Sequence, residues 1–98
     1  MDNRVLLLAL CTLEKAIRQS WNRSTCVPFL RKKWFRDVPE RGQSAVTALL
    51  VRKIFGGKIL YCKHHNHYWN RISRSVEVDL TRDQFPENIH LCVDKIVE

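Results

Sequence analysis

Glycine and proline are scarce in these 98 residues, with three of each, which excludes collagen-like and low-complexity architectures. Acidic residues are also few: ten, against seventeen Lys and Arg, leave a net charge of +7. No apolar run approaches the roughly 20 residues that a membrane-spanning helix needs. The longest, Val5 to Leu13 (VLLLALCTL), follows Arg4 as a signal-peptide core would, yet Glu14, Lys15 and Arg18 stand where small cleavage-site residues belong. Leu8-Ala9-Leu10-Cys11 also fails as a lipoprotein box, having Leu where a small residue should precede the Cys. The four cysteines, Cys11, Cys26, Cys62 and Cys92, contain no C-x-x-C pair. Their number allows two disulfides in a secreted protein. Without a recognisable export signal, the expectation is a cytoplasmic protein with reduced thiols and no membrane association.

What is present is globular: 45% hydrophobic and 28% charged residues. One domain spanning residues 1–98 is expected, burying about two-thirds of its extended surface. The charge is uneven. Lys15 to Lys63 holds twelve basic and two acidic residues, a net +10, while the remainder sums to −3.

Leu6, Leu10, Leu13, Ile17 and Trp21 recur at helical spacing behind a cap at Asp2 or Asn3. Asn22 to Arg41 lacks a sustained period and reads as an irregular loop pinned by Phe29, Trp34 and Phe35. Ser44 to Phe55 reads as a second helix, entered through Gly42 and stopped by Gly56-Gly57. Three strands follow with short turns: Lys58 to His64, His67 to Ile72 and Val76 to Leu80, an antiparallel meander. Thr81-Arg82-Asp83-Gln84 fits a capping box. The tail, Asn88 to Val97, suits a strand or a helix, and the strand is preferred. The fold class is therefore α+β, with N-terminal helices packed on an antiparallel sheet of three to four strands.

The order of elements suggests a site. Ser44 opens a buried helix, His67 begins the second strand after it, and Asp79 lies near the end of the third. Nucleophilic acyl transfer requires an attacking group, a base and an acid group that orients the base. A helix N-terminus favours a developing anion through its free N–H groups and dipole. Adjacent antiparallel strands bring His and Asp onto one face. Each residue also has an ordinary structural reading: Ser44 as an N-cap, His67 as a strand histidine, Asp79 as a turn-former.

Ser20-Trp21, Thr25, Arg41-Gly42-Gln43, Ala45-Val46-Thr47-Ala48-Leu49, Phe55-Gly56-Gly57, His67-Tyr68-Trp69-Asn70, Asp79-Leu80-Thr81 and Gln84-Phe85 occur in that order. Together they resemble the YunG-like family of small, uncharacterised bacterial proteins, over about residues 9 to 86. The resemblance implies a compact papain-like domain in which a helix-borne Cys and a strand-borne His and Asp form a catalytic triad. His67 and Asp79 match their positions, and Gln43 precedes the nucleophile as it does there. The departure is at the nucleophile, where Gly-Gln-Cys becomes Gly42-Gln43-Ser44. Two origins fit it: replacement of the cysteine by design, or a natural serine in a serine-using variant or a binding relic.

By that resemblance the chain is a hydrolase or transferase acting on an amide, ester or related bond, silenced by Ser44. Residue 44 would attack, His67 would carry the proton and Asp79 would fix the tautomer. The backbone N–H of Ser44, together with the Gln43 amide, would hold the oxyanion. Trp69 and Asn70 would shape the pocket, with plain core the preferred reading of Trp69, and Arg41 would steer an anionic substrate inward. The alternative is a non-catalytic binding module or inhibitor that uses the basic surface and an inert pocket for an anionic ligand or a protein.

Two further clusters bear on function. Cys62, His64, His65 and His67 are soft ligands, but a second separated pair is missing and neighbouring strand residues face opposite ways, so neither a metal nor another cofactor is expected. Arg31, Lys32, Lys33, Arg36, Arg41, Arg52 and Lys53, with Trp34 and Phe35 for stacking, allow nucleic acid without favouring it. A monomer or small homo-oligomer is expected.

Overall fold

The computed structural model describes residues 2–22, 24–34, 36, 42–85 and 89–97. It is an α+β fold of two helices packed on a four-stranded antiparallel sheet. Helix α1 runs Asn3–Ser20, with Asp2 as its N-cap: the Asp2 carboxylate accepts from the Arg4 amide at 2.6 Å. Leu6, Leu10 and Ile17 are buried along it, whereas Leu13 is only half-buried.

The stretch after α1 is more ordered than its sequence suggests. Pro28–Lys33 forms a 3₁₀ helix with Pro28 in the first turn, where its missing N–H costs nothing. Arg31 secures it by donating from Nε to the Cys26 carbonyl and from Nη2 to the Ser24 carbonyl, both at 3.2 Å. Trp34 is buried, so it is core rather than a surface for base stacking. Phe35 and Arg41 lie outside the described residues, as does the side chain of Phe29.

Helix α2 spans Ser44–Phe55, as the sequence indicates. Its N-cap is Gln43, so Ser44 is the first helical residue and not the cap. Gly42 enters the turn at φ +71°, and a Cβ there would collide with the Cys26 sulfur. Two requirements thus select glycine at one position: left-handed backbone and close packing.

Strand β1 is Lys58–Cys62, β2 His67–Ser73, β3 Val76–Val78 and β4 Lys95–Val97, in the order β3-β2-β1-β4. β1 ends at Cys62 rather than His64, because residues 63–66 form the turn, with Asn66 at φ 47°. β3 ends at Val78, which leaves Asp79 just beyond the strand. The tail contributes a strand only at Lys95–Val97. It is held to β1 by Asp94, whose amide donates to the Tyr61 carbonyl at 2.8 Å while its carboxylate accepts from the Lys63 amide at 2.7 Å.

The pairing Cys62↔His67 and Leu60↔Trp69 sets these four residues on one face of the sheet. Leu60, Cys62 and Trp69 form a buried cluster there, with Leu91 of the tail against it. Tyr61, Tyr68, Ile59 and Asn70 take the other face. Here Asn70 donates from Nδ2 to the Ala48 carbonyl at 2.9 Å, joining β2 to α2. Trp21, at the end of α1, donates from Nε1 to Thr47 Oγ1 of α2 at 3.1 Å. No described helix is long and apolar enough to cross a membrane.

Candidate active site

The site grows from the turn that follows β3. Asp79 Oδ1 accepts from the Thr81 amide at 3.2 Å and from the Thr81 hydroxyl at 3.3 Å. This local bonding turns the chain back on itself, as Asp does when it bonds backbone two residues ahead. Thr81 is fully buried and makes no side-chain cap for the short 3₁₀ turn Arg82–Gln84. The capping box read from the sequence is therefore not formed: its threonine hydroxyl is directed to Asp79 instead.

With Oδ1 so held, Asp79 Oδ2 lies 2.7 Å from His67 Nε2. The distance is that of a strong, charge-assisted hydrogen bond. His67 is only 1% exposed and Asp79 only 15% by side chain. The imidazole is enclosed by two aromatic rings: Trp69 stacks at 5.8 Å and 17°, and Phe85 meets it edge-on at 4.8 Å and 87°. Trp69, two residues along the same strand face, is itself oriented by donating from Nε1 to Glu77 Oε1 at 2.9 Å. That hydrogen bond, with the neighbouring Arg71 guanidinium, holds the Glu77 carboxyl below its ordinary value against a smaller upward push from burial.

Ser44 approaches from the other side. Its hydroxyl oxygen accepts from the Tyr68 amide at 3.2 Å, and that amide is the peptide nitrogen joining Tyr68 to His67. The start of α2 is thereby fastened to the start of β2. The first amides of any α-helix have no partner within it, so residue 44 stands among N–H groups that α2 itself does not use. A cleft of about 300 Å³ opens here, lined by Val27, Pro28, Leu30, Ser44, Tyr68 and Gln84 among others.

Three sequence-selected residues, Ser44, His67 and Asp79, are thus gathered around one strand end. Two others are placed differently from expectation. Gln43 is wholly buried and donates from Nε2 to the Asn22 carbonyl at 2.9 Å; it does not line the cleft. Asn70 is buried on the α2 face of the sheet, where its amide ties strand to helix. Trp69 is a core side chain, as its preferred reading has it, and buttresses the imidazole without lining the cleft beside Ser44. Arg41 falls outside the described residues. The sequence presents Gln84 in a capping box and, with Phe85, among the family-like residues, with no role in the site, yet it lines the cleft and its Nε2 lies 3.4 Å from His67 Nδ1. Its position five residues after Asp79 is the available signal, but only the folded turn shows where the amide points.

Of the soft-ligand cluster, Cys62 and His67 are buried while His64 and His65 stack edge-on in the turn at 4.7 Å. Among the described residues no group of three or more His, Cys, Asp or Glu is placed to hold a metal ion.

Fold and site define a small α+β domain in which a helix-terminal hydroxyl is bonded to the start of the strand that carries a histidine paired with an aspartate. The family model described as YunG protein matches residues 9–98, and the chain belongs to the YunG family. The uncharacterized protein YunG of Bacillus subtilis (strain 168) is 35% identical over 71 residues, which cover 70% of this chain and 56% of that relative. The chain thus spans little more than half of the relative's length. No solved structure matches it.

Proposed function

We propose that the chain carries a papain-like triad of hydrolase or transferase type, with residue 44 as nucleophile position, His67 as base and Asp79 as orienting acid. The observation that carries this reading is the part-buried His67 Nε2–Asp79 Oδ2 bond of 2.7 Å, at the strand start whose next amide, that of Tyr68, is hydrogen-bonded by the residue that opens α2. Asp79 holds the ring through Nε2, which leaves Nδ1 to exchange the proton. In the reaction, residue 44 forms a bond to the carbonyl carbon of an amide, ester or related group while its proton passes to His67. The carbonyl π electrons move onto oxygen, where the first amides of α2 stabilise the charge. Collapse of that intermediate expels the leaving group, which takes the proton from His67. Water or another acceptor then releases the acyl group by the same steps in reverse.

Ser44 makes this form weak. A hydroxyl ionises far less readily than a thiol, whose ordinary pKa is about 8.5 and falls beside histidine and a helix terminus. The hydroxyl is also engaged as acceptor from the Tyr68 amide. That contact favours a second reading, a binding module whose pocket holds a ligand without chemistry.

The Ser44→Cys protein separates the two. Its alkylation by iodoacetamide at pH 7 is expected to run about tenfold faster than that of an ordinary thiol, of which only a few per cent is ionised. His67→Ala in the same background should abolish the excess. Intact mass and peptide mapping identify the modified residue, since Cys11 and Cys92 are also exposed. Ordinary reactivity at position 44, unchanged by His67→Ala, overturns the catalytic reading.

A further inference from the structure

We infer that Gln84 is a second positioning residue for His67, one that selects the neutral tautomer with hydrogen on Nε2 and the lone pair on Nδ1. The inference rests on the triad reading but concerns a residue outside the triad. Gln84 Nε2 donates to the Thr81 carbonyl at 3.1 Å. A carbonyl oxygen only accepts, so this contact fixes which end of the amide is nitrogen. The same Nε2, with its second hydrogen, faces His67 Nδ1 at 3.4 Å. A donor on that side requires a lone pair on Nδ1, which is the neutral tautomer with hydrogen on Nε2. Asp79, accepting at Nε2, requires the same tautomer from the opposite edge.

Both constraints come from one six-residue turn. Asp79 and Gln84 are each tied to Thr81 and reach the imidazole at its two nitrogens. The rings of Trp69 and Phe85 bracket it, so a ring flip that exchanged the nitrogens would have to displace packed aromatics. When Nδ1 receives a proton, the Gln84 N–H loses its acceptor there.

The substitution Asp79→Asn provides the sharpest test. The Thr81 amide and hydroxyl hold an oxygen at the inner position, which directs the new NH₂ towards His67 Nε2. The amide introduced at position 79 then asks for hydrogen on Nδ1, and Gln84 asks for the opposite. Nitrogen-15 NMR of the histidine ring, recorded on the otherwise unaltered Ser44 chain, reads the tautomer without any activity. Asp79→Asn alone is expected to retain a measurable fraction of the Nε2–H form. The double variant Asp79→Asn/Gln84→Leu should move fully to Nδ1–H. Identical tautomer populations in the single and double variants overturn the inference.

Should Asp79→Asn not fold, Gln84→Leu alone serves. The His67 Nδ1 resonance is expected to shift towards that of an imidazole nitrogen with no donor, and an unmoved resonance overturns the inference. The triad reading fails separately, through absence of His67-dependent alkylation in Ser44→Cys.

Discussion

Gly42, Gln43 and Ser44 show how single residues set the geometry of the site. Gly42 carries φ +71° with no room for a Cβ against Cys26. Gly42→Ala is expected to cost about 2 kcal/mol or more, from left-handed strain plus the displaced sulfur, and urea unfolding measures it. Its consequence reaches the chemistry, because the turn at Gly42 aims the first amides of α2. Gln43 acts on the same turn from within: its amide holds the Asn22 carbonyl and so ties the α1–α2 connection to the start of α2. The sequence singles out Gln43 by its place before Ser44. Adjacency in the chain does not give adjacency in the cleft, since the non-helical backbone of the capping residue sends its side chain in a different direction from that of the first helical residue.

At the scale of elements, strand β2 is the organising piece. His67 opens it, Tyr68 fastens α2 by its amide, Trp69 buttresses the imidazole and Asn70 locks the helix to the sheet. β3 contributes Glu77 to the Trp69 indole before the turn delivers Asp79. The Glu77 carboxyl is held below its ordinary value of 4.5. Its folded state therefore binds a proton less readily than the unfolded chain. The stability it contributes is complete above about pH 4.5 and is lost as the pH falls below that value towards the lowered folded one. Glu77→Gln is expected to flatten the pH dependence of the melting temperature in that acid range and to lower the melting temperature modestly at about pH 7, where the amide oxygen keeps the indole donor but the favourable carboxylate charge is gone. A parent melting temperature that is insensitive to pH throughout that acid range contradicts this.

For the whole molecule, burial sorts the leucines. Leu60, on the central strand β1, is 0% exposed, whereas Leu8 on α1 is 70% exposed. Leu60→Ala is expected to lose about 3 kcal/mol through transfer and cavity terms, and Leu8→Ala to stay within about 0.5 kcal/mol. Chemical unfolding of the two variants checks the contrast. Sequence periodicity places Leu6, Leu10 and Ile17 inward correctly. It also assigns Val46, Leu49 and Leu50 to the apolar face of α2, and these are exposed at 41%, 52% and 38%. The residues of α2 that are buried are Ser44, Thr47, Ala48 and Val51. Small and polar side chains let the helix approach the sheet, and two of those positions carry the hydrogen bonds from Trp21 and Asn70 that hold it there.

Local chemistry alone determined the two α-helices and the β1–β3 meander. An 18-residue helix needs only its cap and its periodicity, Gly56-Gly57 end α2 wherever it packs, and alternating strand formers separated by turn residues make a meander. The same locality made Ser44, His67 and Asp79 legible, since each marks the beginning or end of an element. Tertiary structure decided everything that depends on which groups meet. It took Trp34 into the core, turned Asn70 onto the helix side of the sheet and drew the Thr81 hydroxyl from a cap to Asp79. It also brought Gln84 to the second nitrogen of His67. Those outcomes turn on side-chain direction and on competition among hydrogen-bond partners, many of them far apart in the chain. No local periodicity ranks such competing partners, so only the folded molecule selects between them.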